Sequence, residues 1–79
     1  MLAKARFWLR HQGTALNDRQ RKVINVLLDA GPSMNTRKYV SLTRTSRATA
    51  YRELADLVEK RCLISSGGGR SVSYEIRWD

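Results

Sequence analysis

The spacing of apolar residues predicts four helical segments along the chain. Residues 2–12 form a short helix with an apolar side, and residues 18–30 place their apolar side chains in the stripe of a helix that faces a core. Residues 37–42 predict a brief third helix, and residues 47–60 predict a fourth. The core face of the fourth segment consists of Ala50, Leu54, Leu57 and Val58.

Capping residues and helix breakers set the predicted helix boundaries. Asn17 or Asp18 can cap the second helix, because a short side-chain oxygen accepts hydrogen bonds from free first-turn amides. Gly31-Pro32 ends that helix, since proline cannot continue it. Thr36 and Ser46 are the predicted N-caps of the third and fourth helices.

Two strands are predicted near the end of the sequence, at residues 63–66 and 71–78. Alternate residues of the second strand face one side, namely Val72, Tyr74, Ile76 and Trp78. The three glycines at 67–69, together with Arg70, form the hairpin turn between the strands. Residues 33–35 are either a short linker or a single-residue bridge of strand.

This order of elements predicts a mainly α fold with a small β-hairpin, a winged helix-turn-helix. A three-helix core carries a two-stranded wing, and a short N-terminal helix precedes the core. A lone hairpin is marginally stable, so the wing must pack on the helices. Residues 14–79 are the predicted winged helix-turn-helix domain. Residues 1–13 are a predicted linker helix, either the tail of a preceding domain or a dimerisation arm.

Length and composition exclude several classes of function. The chain has 79 residues, so its core is small and a deep catalytic pocket is not expected. It has no run of about 18 apolar residues, so a membrane is not an expected partner. Secreted domains of this size usually need disulfides, and a single cysteine cannot form one internally. We therefore expect a cytoplasmic protein.

The residues that metal sites and nucleophilic catalysis require are scarce. The sequence has one histidine and one cysteine, whereas zinc sites need three or four ligands. Cys62 is expected to be a core thiol, although spacing alone leaves a Cys–His pair open, and His11 is expected to be solvated. The glycines at 67–69 lack the Gly-Lys-Ser/Thr ending of a phosphate loop. We expect no metal, no cofactor and no enzymatic activity in this chain.

Positive charge is concentrated in one part of the sequence. Fifteen Lys and Arg residues against seven Asp and Glu residues give a formal net charge of +8. The stretch 34–52 contains five basic residues and no acidic one, and acids resume at Glu53, Asp56 and Glu59. The fourth helix is therefore basic at its leading end, which faces DNA in a winged helix. This arrangement favours DNA binding over an ordinary solvated surface.

The predicted DNA-binding residues come from the third helix, the following turn, the start of the fourth helix and the wing tip. They are Arg37, Lys38, Arg44, Ser46, Arg47, Ala48, Thr49, Tyr51, Arg52 and Arg70. Arginines and hydroxyls can contact phosphates or bases, and the Ala48 methyl group could meet a thymine methyl. Ser46 and Thr49 could equally be capping residues only. Tyr51 could pack against the hairpin, and Arg70 could be a flexible tip.

Two segments of the sequence carry a resemblance to known families. The segment Ser46–Tyr74, SRATAYRELADLVEKRCLISSGGGRSVSY, resembles the recognition helix and wing of DeoR-type winged-helix repressors. A longer match joins FW at Phe7-Trp8 to LNDRQRKVINVLLDAG, TRKYVSLTRTSRATAYRELADLV and GGGRSVSYEI. It resembles the C-terminal winged-helix domain of larger Fic-family (Fic/DOC) proteins. Those proteins transfer AMP through a His-Pro-Phe motif and a Gly-Asn-Gly-Arg loop, neither of which occurs here.

The resemblance implies two alternative functions. The first is a module that binds double-stranded DNA in transcriptional regulation or autoregulation. The second is an interaction or dimerisation module that positions or regulates a Fic adenylyltransferase domain. Its interface residues would be Phe7, Trp8 and Leu9, which could instead dock on the domain's own first helix or pair two chains.

Arg61 departs from the pattern of the Fic-family domain, whose members usually have glycine at this position. Glycine there closes the helix in a left-handed cap. An arginine in that conformation would cost roughly 1 kcal/mol, or the junction is reshaped, with Cys62 in a core position that is commonly aliphatic.

Overall fold

The computed structural model describes residues 2–29, 31, 33–67 and 72–78. Its elements, in chain order, are α1 (Leu2–Arg10), α2 (Asp18–Asp29), α3 (Thr36–Thr43), α4 (Arg47–Glu59), β1 (Leu63–Ser66) and β2 (Ser73–Ile76). The predicted element types and their order are confirmed. Strand β2 is shorter than the predicted 71–78, and the predicted turn residues Gly68, Gly69 and Arg70 lie outside the described residues.

The two strands form an antiparallel wing that is joined to the helices through a third short segment. Leu63 pairs with Ile76 at one end of the hairpin, and Ser66 pairs with Ser73 at the other. Met34 forms a bridge to Tyr74, in which the Met34 amide donates to the Tyr74 carbonyl at 2.7 Å. This bridge confirms one of the two alternatives for residues 33–35. The architecture is a winged helix.

The hydrophobic core lies among α2, α3, α4 and the wing. Its buried side chains include Val23, Ile24 and Leu27 of α2, Tyr39 of α3, and Ala50, Leu54 and Leu57 of α4. Cys62, Leu63 and Tyr74 close the core from the side of the wing. The predicted core face of α4 is confirmed, with Val58 partly buried at its edge.

Helix α1 also contributes to this core. Phe7 is only 1% exposed, and the indole Nε1 of Trp8 donates to the side-chain oxygen of Asn25 on α2 at 2.9 Å. The guanidinium of Arg10 donates to the carbonyls of Arg77 and Trp78, which links the end of α1 to the chain after β2. Helix α1 is therefore packed on the winged helix.

Side-chain caps explain where three of the helices begin. The Asn17 side chain accepts a hydrogen bond from the Gln20 backbone amide, and the Gln20 side chain accepts one from the Asn17 backbone amide. These reciprocal bonds form a capping box at the start of α2. Ser46 accepts from the Thr49 amide at 3.1 Å, as predicted for α4. The prediction for α3 is wrong by one residue. Asn35 caps it by accepting from the Lys38 amide, and Thr36 is its first helical residue.

Helix α4 ends in a left-handed cap formed by a residue other than glycine. Arg61 has φ 64°, its amide donates to the Val58 carbonyl, and the Cys62 amide donates to the Leu57 carbonyl at 2.9 Å. This pair of hydrogen bonds is a Schellman motif, in which glycine is the usual residue. Of the two alternatives for this junction, the arginine in a left-handed cap is the one observed.

The prediction that His11 is solvated is wrong. His11 is 7% exposed, and its Nδ1 lies 3.1 Å from the Thr14 hydroxyl and 3.7 Å from the Cys62 sulfur. Its ring also packs on Phe7, with the ring centroids 4.6 Å apart. Cys62 is buried, as expected of a core thiol. The contact between His11 and Cys62 cannot be predicted from the sequence, because it joins the end of α1 to the segment that follows α4.

Candidate nucleic-acid interface

The turn between α3 and α4 is short and carries Arg44, one of the predicted DNA-binding residues. Arg44 follows α3 directly and adopts a left-handed conformation with φ 56°, and its amide donates to the Val40 carbonyl at 2.8 Å. Only Thr45 separates it from the Ser46 cap of α4. The sharp turn therefore brings the end of α3 beside the beginning of α4.

Five cationic side chains of α3, the turn and α4 are exposed. They are Arg37, Lys38, Arg44, Arg47 and Arg52, here called the basic surface. Within the described ranges none of them forms an ion pair; the ion pairs found there involve Lys4, Arg19 and Lys60. Among the residues that the structure describes, the one hydrogen bond from a side chain of the basic surface runs from Arg52 to the Thr49 hydroxyl, at 3.3 Å. These charges are thus available to an external anion.

The other predicted contact residues lie on the same part of α4. Ala48 is exposed, and Tyr51 is 62% exposed. Ser46 and Thr49 bond to each other and form the N-cap, which leaves Ser46 exposed and Thr49 half-buried. Arg70, the predicted wing-tip contact, lies outside the described residues.

The carboxylates of α4 have a different environment from the basic surface. Glu53 accepts hydrogen bonds from Arg19 at 3.0 Å, from the Tyr39 hydroxyl at 2.6 Å and from the Asn17 side chain at 2.9 Å. The Arg19 hydrogen bond is the largest cause that lowers the pKa of Glu53 to about 2. These four residues are here called the Glu53 cluster. Burial in this cluster also raises the pKa of Tyr39.

Asp56, one turn further along α4, is also compensated. It accepts from the Gln20 side chain at 2.9 Å and forms an ion pair with Lys60 at 2.9 Å. The hydrogen bond from Gln20 is the main reason that the pKa of Asp56 is lowered. Gln20 also donates to the Glu53 backbone carbonyl, so this buried amide links α2 to two successive turns of α4.

Sequence reasoning missed the Glu53 cluster because its members come from three separate elements. Asn17 caps α2 and Arg19 lies in its first turn, whereas Tyr39 lies in α3 and Glu53 in α4. The one available signal was the hydroxyl of Tyr39, since a buried phenol needs a hydrogen-bond partner. That signal does not say which carboxylate is the partner.

The three predicted interface residues of α1 have three different environments. Phe7 is buried within the chain itself, so its assignment as an interface residue is corrected to a core role. Trp8 is half-buried against α2, which corresponds to the alternative of docking on the domain's own helix. Leu9 is 68% exposed and is the one of the three that remains accessible to a partner.

No metal site and no membrane-spanning helix is found among the described residues. Among those residues, no group of three or more His, Cys, Asp and Glu side chains could hold a metal ion. No helix there has the length and apolar content that a membrane crossing requires. Burial lowers the pKa of His11 and raises that of Cys62, which favours the neutral form of each group.

Comparison with known proteins gives the class of fold. No protein-family model and no curated protein matches the chain. The structure is similar to that of the ferric uptake regulator Fur of Helicobacter pylori, a protein with three functional metal-binding sites. That likeness has a TM-score of 0.68 at 21% identity and covers 99% of this chain and 56% of Fur. It supports the winged-helix fold.

A second solved structure shares this likeness. It is that of the DIP2311 protein from Corynebacterium diphtheriae, with a TM-score of 0.65 and 26% identity over 73% of this chain. The match covers 10% of the DIP2311 chain. This chain therefore spans about half of one similar protein and a small part of the other.

Proposed function

We propose that this chain is a DNA-binding module of the winged-helix class that takes part in transcriptional regulation. The observation that carries the proposal is the basic surface, whose five cations are exposed and unpaired within the described ranges. The start of α4 adds backbone amides with a favourable helix dipole. Double-stranded DNA is the polyanion that this combination fits.

The proposal predicts a strong dependence of binding on salt. If the basic surface neutralises about four phosphates, affinity falls roughly 100-fold between about 50 and about 200 mM salt. Arginine and hydroxyl contacts to phosphate fix the position of the protein, whereas α4 side chains such as Tyr51 would read the bases. A single small module buries little area, so high specificity would need a dimer or a larger parent chain.

Fluorescence anisotropy with a labelled random-sequence duplex tests the proposal. Combining Arg47→Glu with Arg52→Glu should weaken binding more than about tenfold and reduce the salt slope by about two. The matched control combines Arg6→Glu with Lys22→Glu, which makes the same change of net charge at exposed residues of α1 and α2. Equal losses in both variants would refute the assignment of the basic surface.

The finer proposal is that the module is the C-terminal accessory domain of a larger Fic-family protein. It is supported by the sequence resemblance, and the match to a small part of DIP2311 is compatible with a module inside a long chain. Reading the gene upstream of Met1 tests it. A His-Pro-Phe motif followed by Gly-Asn-Gly-Arg would support this parentage, and an unrelated upstream sequence would remove it. A cytoplasmic location and the lack of catalytic activity stay predictions.

The alternative function, an interaction or dimerisation module, is favoured by a different observation. Leu9 and Trp78 are large apolar side chains with high exposure, and Trp78 is 55% exposed. Sedimentation velocity of the natural chain and of Leu9→Ser with Trp78→Ser tests this function. A dimer that the double substitution dissociates supports it, and a monomer in both samples contradicts a role in pairing two chains.

A further inference from the structure

The Glu53 cluster lies at the edge of the proposed DNA interface. Glu53 follows Arg52 directly in α4 and shares an open groove with Thr49 and Arg52, whose other wall is the start of α2. A bare carboxylate at this place would repel the phosphates that the basic surface attracts. The charge of Glu53 must therefore be compensated for α4 to bind DNA closely.

Hydrogen-bond donors from α2 and α3 surround the Glu53 carboxylate and compensate its charge. Arg19 Nε donates to both carboxylate oxygens, at 3.0 and 3.1 Å, and Tyr39 and Asn17 bond to one oxygen each. The Glu53 side chain is mostly buried, whereas Arg19 keeps about half of its surface exposed. Tyr39 is fully buried, so its hydroxyl holds a fixed position against α4.

Glu53 thus has two consequences for the interface. Its hydrogen bonds join α4 to α2 and α3 next to the basic surface, which sets the direction in which Arg47, Tyr51 and Arg52 project. The Arg19 cation also cancels the only carboxylate of α4 that is adjacent in sequence to a member of the basic surface. Positioning depends on all three donors, whereas cancellation depends on Arg19 alone.

From this geometry we propose that Arg19 and Tyr39 are positioning residues for DNA binding that act through Glu53. Arg19 additionally shields the phosphates from the Glu53 carboxylate. This inference rests on the proposed function, and it assigns a role to residues outside the predicted contact set. Neither residue needs to touch DNA for the role to hold.

The two roles separate by their dependence on salt. Arg19→Met removes a positioning bond and leaves Glu53 uncompensated, so affinity for a duplex should fall about tenfold at about 50 mM salt and about two- to threefold at about 300 mM, because screening weakens only the repulsion. Tyr39→Phe changes no charge. It should weaken binding about two- to threefold at both salt concentrations, with an unchanged salt slope.

Matched variants show whether the effect belongs to this carboxylate. Lys4→Met removes the same charge from the Lys4–Asp29 ion pair, which joins α1 to α2 and lies outside the groove, and should change affinity less than about twofold. Arg19→Lys keeps the charge and should restore most of the affinity. Arg19→Met combined with Glu53→Gln leaves no unpaired charge, so it should recover the salt-dependent part of the loss and bind about two- to threefold more weakly than the natural chain.

Affinities are measured at a temperature at which circular dichroism shows each variant to be folded. If Arg19→Met is unfolded there, the comparison rests on Tyr39→Phe, Arg19→Lys and the double variant, which retain charge balance. The inference is overturned if Arg19→Met loses no more affinity than Lys4→Met, or if the double variant does not recover. If the natural chain does not bind the duplex at all, the proposed function is refuted instead.

Discussion

Replacing Arg61 with glycine should stabilise the protein, because Arg61 holds a backbone conformation that side chains other than glycine resist. Its φ of 64° is left-handed, and it closes α4 in a motif whose two hydrogen bonds use only backbone atoms. The Arg61 side chain is exposed and forms no ion pair with the described residues. Its removal therefore sacrifices no observed contact of the folded chain.

The magnitude follows from two opposing terms. The left-handed conformation costs a residue with a Cβ atom about 1–2 kcal/mol. Glycine also increases the conformational entropy of the unfolded chain, which lowers the free energy of unfolding by about 0.5–1 kcal/mol. The net increase in the free energy of unfolding is about 0.5–1 kcal/mol. For a domain of this size it raises the melting temperature by about 2–8 °C.

Thermal unfolding followed by circular dichroism measures this shift, and Arg44→Gly provides the matched comparison. Arg44 has nearly the same conformation, with φ 56°, but belongs to the basic surface. Both variants should melt higher. Arg61→Gly should keep the DNA affinity, whereas Arg44→Gly should weaken binding and reduce the salt slope by about one. A melting temperature of Arg61→Gly at or below that of the natural chain would refute the strain argument.

Three further predictions concern stability and are checked by urea denaturation. Phe7→Ala should cost about 3–5 kcal/mol because Phe7 is buried, while Leu9→Ala on the exposed side of α1 should change little; equal effects would contradict the packing of α1. Ser46→Ala should cost about 1 kcal/mol through loss of the α4 cap, with Ser41→Ala as an exposed control. Burial lowers the pKa of His11 in the folded state, so the unfolded state binds more protons as the pH falls. The urea concentration at the unfolding midpoint should therefore be lower at about pH 5.5 than at about pH 7.5. An unchanged midpoint would contradict the burial of this single histidine.

The sequence predicts those features that depend on neighbouring residues. The helices, the hairpin, the Ser46 cap and the core face of α4 follow from spacing and from local side-chain chemistry, and the structure confirms them. The cap of α3 was misassigned because Asn35 and Thr36 are both good caps and adjacent. Asparagine is the stronger of the two, and it accepts from the Lys38 amide.

Features that depend on distant residues could not be predicted in this way. His11 was expected to be solvated because its neighbours are polar, yet Cys62 and Phe7 enclose it after folding. Likewise, Arg19 and Glu53 are separated by 34 positions, and no pattern in either segment indicates that they form an ion pair. Periodicity states which face of a helix is buried but not which side chain of another helix meets it.

Pairing, more than the count of charges, distinguishes the two ends of α4. The sequence shows only that basic residues precede acidic ones along this helix. In the structure Glu53 and Asp56 each have a cationic partner and at least one uncharged donor, whereas Arg47 and Arg52 have no ionic partner among the described residues. The opposite charges of an ion pair largely cancel at distances greater than their separation, whereas the field of an unpaired charge extends over about one Debye length, about 8–10 Å. The field that reaches an approaching duplex therefore comes mainly from the start of α4. A substitution that removes the cationic partner of Glu53 or Asp56 should therefore weaken DNA binding, although neither cation belongs to the basic surface.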